Sequence, residues 1–237
     1  FNSYFFIFLF LPLVLCLVFY FSSKGNANSA VTMLVISSLF FYSWWNPVYL
    51  PLIICSILFN FWIAKLIYKN ILILFIGLTF NLGLIAYFKY ANFFVENINL
   101  LFQDSLYIQE IILPLAISFF TFQQIAYLVD AYRGQAEKYS FLHYSLFVTF
   151  FPQLIAGPIV RYKDVHLQIK NFSQNAFDQK LHGLYRFIIG LSKKVFIANT
   201  FALIVAQVNA LAIDDISTAE AWLGALAYTF QIYFDFS

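Results

Sequence analysis

The residues of this chain with the chemistry to bind or react fall in a few short clusters. The stretch FFPQLIAGPIVRY, Phe150 to Tyr162, sits between long apolar runs yet contains Pro152, Gln153, Gly157, Pro158 and Arg161. The prolines have no N–H and disrupt the turn before them, and glycine opens backbone angles that other residues avoid. Backbone groups freed in this way cannot face hydrocarbon, so they must be buried in protein or line a wet cavity. Gln153 adds an amide at the same depth, and Arg161 offers a rigid fork of donors for carboxylate or phosphate. Two readings follow. One is a broken or re-entrant helix lining a chamber; the other is a proline-kinked helix ending at the interface, with Arg161 snorkelling to the headgroups.

Lys193 and Lys194 interrupt another apolar run, where a charge is costly and often functional. They read equally as donors to an anionic ligand or as a helix end at the cytoplasmic interface. In the closing QIYFDFS, Asp235 is an acid among aromatics, with Gln231 and Tyr233 within reach of one polar network. It reads as a functional intramembrane acid or as a helix-end acid at the outer interface. Asp130 and Arg133 have the spacing of an interfacial ion pair. His143 lies in an apolar helix, His166 and His182 in polar surroundings, and none has a neighbourhood that marks a general base. Cys16 and Cys55 read as small apolar residues within spans, and no spacing supports a metal site or a disulfide.

The elements that must position these groups are membrane helices. Of 237 residues, 62% are hydrophobic and 10% charged, against about 25% charged in a soluble domain. Apolar runs approach the roughly 20 residues that cross a bilayer and are continuous, without the alternation of a barrel strand. Spans are expected at 5–21, 30–45, 48–68, 71–90, 111–129, 141–157, 182–210 and 219–236. The segment 91–110 has the periodicity of a helix lying on the membrane surface. Lys24, Lys65, Lys69, Arg133 and Lys138 fall in alternate connections, which places the N-terminus outside. The net charge of +2, with dispersed basic residues, gives no footing for nucleic acid. A single transmembrane domain over 1–237 is expected. The chain opens on Phe1 and closes inside an aromatic-polar run, so it is expected to be part of a longer protein.

Four ordered motifs, SFFTFQQIAYLVDAYRG (118–134), FFPQLIAGPIVRYKDV (150–165), GLSKKVFIAN (190–199) and AYTFQIYFDFS (227–237), resemble the membrane-bound O-acyltransferase family. The likeness is to its bacterial branch of alginate and peptidoglycan O-acetyltransferases, and the opening FIFLFLPLVLCLVFY with FFYSWWNPVYL fits it too. The resemblance implies an all-α polytopic bundle with broken or re-entrant helices around a central chamber. There an acyl group, most simply acetyl, passes to hydroxyls of an extracytoplasmic polysaccharide or peptidoglycan. It implies acetyl-CoA or another acyl thioester as donor, with no bound cofactor. Lys193 and Lys194 then face the cytoplasmic donor, and Pro152, Gln153, Gly157, Pro158, Arg161, Gln231, Tyr233 and Asp235 lie along the chamber and substrate path. The implied partners are membrane lipid, a periplasmic or extracellular transferase and the glycan acceptor, at the bacterial cytoplasmic membrane. The family's catalytic histidine lies downstream of QIYFDFS and so outside this chain, which is expected to be inactive by itself. Broken helices with a glutamine and an arginine also suit a channel or transporter, and a non-catalytic scaffold for a soluble transferase is a third reading.

Overall fold

The computed structural model describes residues 3–102, 111–135, 140–155, 157, 160–162, 164–165, 177–211 and 216–237. Among them all regular structure is helical. Five helices are long and apolar enough to cross a membrane: Phe6–Ser23, Ala27–Trp45, Pro47–Leu66, Ile71–Leu101 and Leu181–Asn209. The chain forms two compact units, Leu13–Ser173 and Phe1–Pro12 with Gln174–Ser237.

The first helix runs as a π-turn, Phe6–Phe10, into α1, Leu11–Ser23. In the larger unit, α2 (Ala27–Trp45) starts on Asn26, whose side chain accepts the Ser29 N–H. It reverses at Asn46, which accepts the Val48 N–H, and at Pro47, before α3 (Leu50–Leu66). The next reversal takes Lys69 into the left-handed region (φ 51°), and Asn70 caps α4 (Ile71–Ile85) by accepting from Leu72 and Ile73 N–H. These side chains satisfy helix N–H groups that would otherwise need water.

Two expected boundaries move. The fourth span continues through a π-turn (Ala86–Tyr90) into α5 (Ala91–Phe102) with no break. No glycine or proline lies between Leu84 and Phe102 to stop it. The expected surface helix is therefore the projecting end of this span over 91–102, and its remainder, 103–110, lies outside the described residues. Its apolar stretch Ile71–Leu101, 31 residues, is about 46 Å long at helical rise, more than a ~30 Å hydrocarbon layer. The next helix, α6, begins at Ile117, later than residue 111, and ends at Tyr132, because Pro114 precedes it and 111–114 have no regular structure. That segment is pinned by Asn92, which exchanges two hydrogen bonds with the Ile111 backbone (3.2 and 3.3 Å), and by Tyr49, whose hydroxyl donates to Ile112 O at 2.6 Å.

The expected span 141–157 is broken. Helix α7 covers Phe141–Thr149 and α8 is one turn, Phe151–Leu154. Phe150 between them has ψ 104°, outside the helical region, and Pro152 sits in the first turn of α8, where its missing N–H costs nothing. The Phe151 N–H is donated to Ser38 Oγ of α2 at 3.2 Å, inside the protein. Ser38→Ala removes that acceptor in the interior and should lower unfolding stability by about 1–3 kcal/mol, read from thermal unfolding of the detergent-solubilised protein.

The smaller unit is a helical hairpin. Helix α9 (Phe177–Ser192), a π-turn (Lys193–Ala198) and α10 (Asn199–Asn209) are continuous, and α11 (Thr218–Phe236) returns alongside. Ser217 and Glu220 form a reciprocal capping box at its start. Small residues allow close approach, as in membrane helix pairs: Ala198 and Ala227 are buried, and a Cβ on Gly224 would lie 2.9 Å from Val208 Cγ1. Phe201 stacks on Phe230 and Phe234, with centroids 5.4 and 6.4 Å away.

Candidate functional site

In the larger unit, the break after Thr149 leaves the helix axis and brings two of the four motifs together. Tyr127 of the first packs tilted against Tyr144, centroids 4.5 Å apart, and lies 5.8 Å from Tyr162 of the second, which in turn meets Phe147 edge-on at 5.2 Å. All four rings are buried. Gly157 is required where it stands, since a Cβ there would come within 2.6 Å of Gln153 Cα and carbonyl oxygen. Its N–H donates to that same carbonyl at 2.9 Å, closing a turn after α8. Gln153 is half-buried, whereas Pro152 and Arg161 are exposed, and Pro158 lies outside the described residues. The core beside the break holds polar groups in excess of what the protein pairs. Tyr42 and Tyr144 hydroxyls, Thr121 Oγ and Gln124 Nε2 are buried with no hydrogen-bond partner among the described residues. Buried polar groups are nearly always satisfied by protein or water, so these are groups a water or polar ligand would meet.

A second polar centre, which the sequence motifs did not mark, joins α3, α4 and α6. Asn60 and Asn81 exchange amide hydrogen bonds (2.6 and 3.2 Å), and the Gln124 side-chain oxygen accepts from Ser56 Oγ at 2.9 Å and from Asn60 Nδ2. Asn60 and Asn81 also donate to the carbonyls of Ser56 and Gly77 at 2.9 and 2.7 Å. The signal was present as one or two amides in otherwise apolar spans, FNFW, FNLG and FQQ. Each such amide needs a partner in hydrocarbon, and only the fold shows that the partners are one another.

In the smaller unit, the predicted Lys193, Lys194 and Asp235 come together. Lys194 Nζ lies 2.6 Å from Asp235, and Lys193 Nζ donates to Ser237 Oγ at 3.2 Å. The helix does not end at these lysines; it passes through them as a π-turn, a form that often marks functional sites. The contact puts Asp235 and Lys194 at one depth, so they are not on opposite interfaces. Gln231 is half-buried and Tyr233 is 62% exposed, and neither joins this pair. Asp130 is buried and makes no ion pair with Arg133. His143 is half-buried in α7, its N–H capped by Ser140 Oγ; His182 is exposed, and His166 lies outside the described residues.

A chain of repeated apolar helices, one broken and stitched by internal polar pairs, is a multi-pass membrane protein of the all-α class. Its relatives narrow this class. It is 40% identical to the peptidoglycan O-acetyltransferase of Helicobacter pylori, aligned over 100% of this chain and 51% of that protein. It is 39% identical to the probable alginate O-acetylase of Pseudomonas aeruginosa (100% and 46%) and 38% identical to that of Pseudomonas putida (100% and 50%). The chain is similar to these proteins along its whole length, consistent with the family its four motifs resemble, and spans about half the length of these relatives. No family model and no solved structure matches it.

Proposed function

We propose that the full-length protein containing this chain is a membrane O-acetyltransferase that esterifies hydroxyls of a cell-envelope polysaccharide. The observation that carries this reading is whole-chain similarity, at 36–40% identity, to proteins named for acetylating two different glycans, peptidoglycan and alginate. Acetyl transfer onto a glycan is what those names share. The donor in this reading is a cytoplasmic acyl thioester, the acceptor lies outside the cytoplasmic membrane, and a partner transferase receives or hands on the group. Acceptor activation needs a general base and the developing oxyanion needs preorganised donors; the reading places the base on the downstream histidine of the family, beyond this chain.

Within the chain, the broken helix shapes the path. Gly157 admits the tight turn, and Arg161 presents its guanidinium outside the packed core, free to meet a carboxylate or phosphate on donor or acceptor. The hydroxyls of Tyr42 and Tyr144 beside the break, without a partner among the described residues, favour a polar chamber over a dry kink. Deleting the gene should remove acetyl ester from the envelope glycan; unchanged ester content would end this reading. Arg161→Ala should lower ester formation about tenfold or more at normal membrane accumulation, the loss expected for a charge-assisted contact of about 1.5–3 kcal/mol. A wild-type rate in that variant would make Arg161 an interface residue only.

A further inference from the structure

One end of the larger unit carries three exposed cations, while Asp130 in the last turn of α6 is buried. Successive contacts fix its geometry as a ladder. Gln124 of α6 meets Ser56 and Asn60 of α3, and one turn on Leu128 packs against Gly77 and Ile63. Beyond that, Val129, Ala131 and Tyr132 pack on the cluster of Ile67, Leu74 and Leu128. Helix α6 therefore runs parallel to α3, and its last turn delivers Arg133 to the level of the α3–α4 reversal, where Lys65 and Lys69 stand. All three are exposed. None forms an ion pair with a carboxylate among the described residues. The lysines rest on aromatic rings instead: Lys65 Nζ lies 4.4 Å from the Phe61 centroid and 4.8 Å from Trp62, and Lys69 Nζ lies 5.7 Å from Tyr68. Trp62 and Tyr68 are themselves exposed, at 59% and 73%. Amphipathic aromatics of this kind sit at headgroup depth.

Three cations with no carboxylate partner among the described residues, two of them lying over aromatic rings, suit an anion in the plane of the headgroups. We propose that Lys65, Lys69 and Arg133 bind the phosphate of an anionic membrane lipid. A lipid is favoured over a soluble anion because the ammonium groups lie over lipid-facing rings, Trp62 and Tyr68. Juxtamembrane cations attract anionic headgroups in this way. The site is separate from the broken helix and stands whether or not the protein transfers acetyl groups.

The full-length protein, solubilised with equimolar phosphatidylglycerol and phosphatidylcholine, tests this by native mass spectrometry of the retained lipids. The wild type should keep phosphatidylglycerol preferentially, and each of Lys65→Gln, Lys69→Gln and Arg133→Gln should weaken that preference about fivefold. Lys89→Gln makes the same change in net charge near the α2–α3 reversal, to which the Tyr49–Phe88 ring contact ties its turn, and should leave the preference intact. A triple variant that retains phosphatidylglycerol like the wild type, or an equal loss in Lys89→Gln, overturns the proposal. So does displacement of the lipid by millimolar inorganic phosphate, which would assign these cations to a soluble phosphate ligand.

Discussion

Asn81→Leu is expected to destabilise the larger unit by about 2–4 kcal/mol, because it orphans more than it deletes. The lost reciprocal pair with Asn60 is the smaller part, since side-chain hydrogen bonds between membrane helices average about 0.6 kcal/mol and reach about 1.7. The larger part is Asn60, which is fully buried and would keep an amide oxygen with no donor. Its Nδ2 would turn to the remaining acceptors, Ser56 O and Gln124 Oε1. Leucine has the branching and heavy-atom count of asparagine but is bulkier and cannot accept or donate, so Asn81→Ala serves as the control for overpacking. Reversible unfolding of the full-length protein in mixed micelles measures the difference. A cost below about 0.6 kcal/mol, the mean for a single membrane hydrogen bond, would mean that the three helices are held by van der Waals packing and the amides merely find one another. The double variant Asn60→Leu/Asn81→Leu should lose less than the sum of the singles, because each removes the other's orphan.

This network also marks the limit of what local sequence discloses. The all-α polytopic class was legible from continuous apolar runs, and the helix break was legible from Pro152 and Gly157, whose chemistry acts on their own backbone. What satisfies the broken helix was not. The acceptor for Phe151 N–H is Ser38, 113 residues earlier, an unremarkable serine until the two helices are packed. The Asn60–Asn81–Gln124 centre failed to stand out for the same reason: each amide looks like a tolerated polar residue in its own span, and the requirement for partners becomes specific only when three helices meet. Boundaries shifted where something other than hydropathy decided them, the irregular segment through Pro114 in one place and the π-turn that carries the fourth span past Tyr90 in the other. Among the candidate site residues, sequence located Lys193, Lys194 and Asp235 individually but assigned them to different surfaces, and their pairing is a property of the hairpin alone.

That pairing yields a second large effect. Helix α11 runs 19 residues from Thr218 to Phe236, about 28 Å, and Asp235 lies in its last turn, at the opposite end from the Ser217–Glu220 capping box. Lys194 reaches it from the facing helix with side-chain exposures of 35% and 24% for the two partners. A wholly exposed pair would contribute 0–1 kcal/mol, and an unpaired charge at the centre of a span would cost about 2.5–3.5 kcal/mol; this pair lies between. Asp235→Asn and Lys194→Met should therefore each cost about 1–2 kcal/mol, because each leaves one charge unmatched near lipid. The neutral double variant, Lys194→Met/Asp235→Asn, should cost less than the two singles added, by at least about 0.5 kcal/mol of coupling. The swapped pair Lys194→Asp/Asp235→Lys should restore part of the loss, which a role confined to packing would not allow. Strict additivity across the cycle would show that the 2.6 Å contact carries no coupling, and that Asp235 acts through some group other than Lys194. The two consecutive lysines of the π-turn both reach the last described residues, Lys194 to Asp235 and Lys193 to Ser237, so the cycle isolates the first contact from the second.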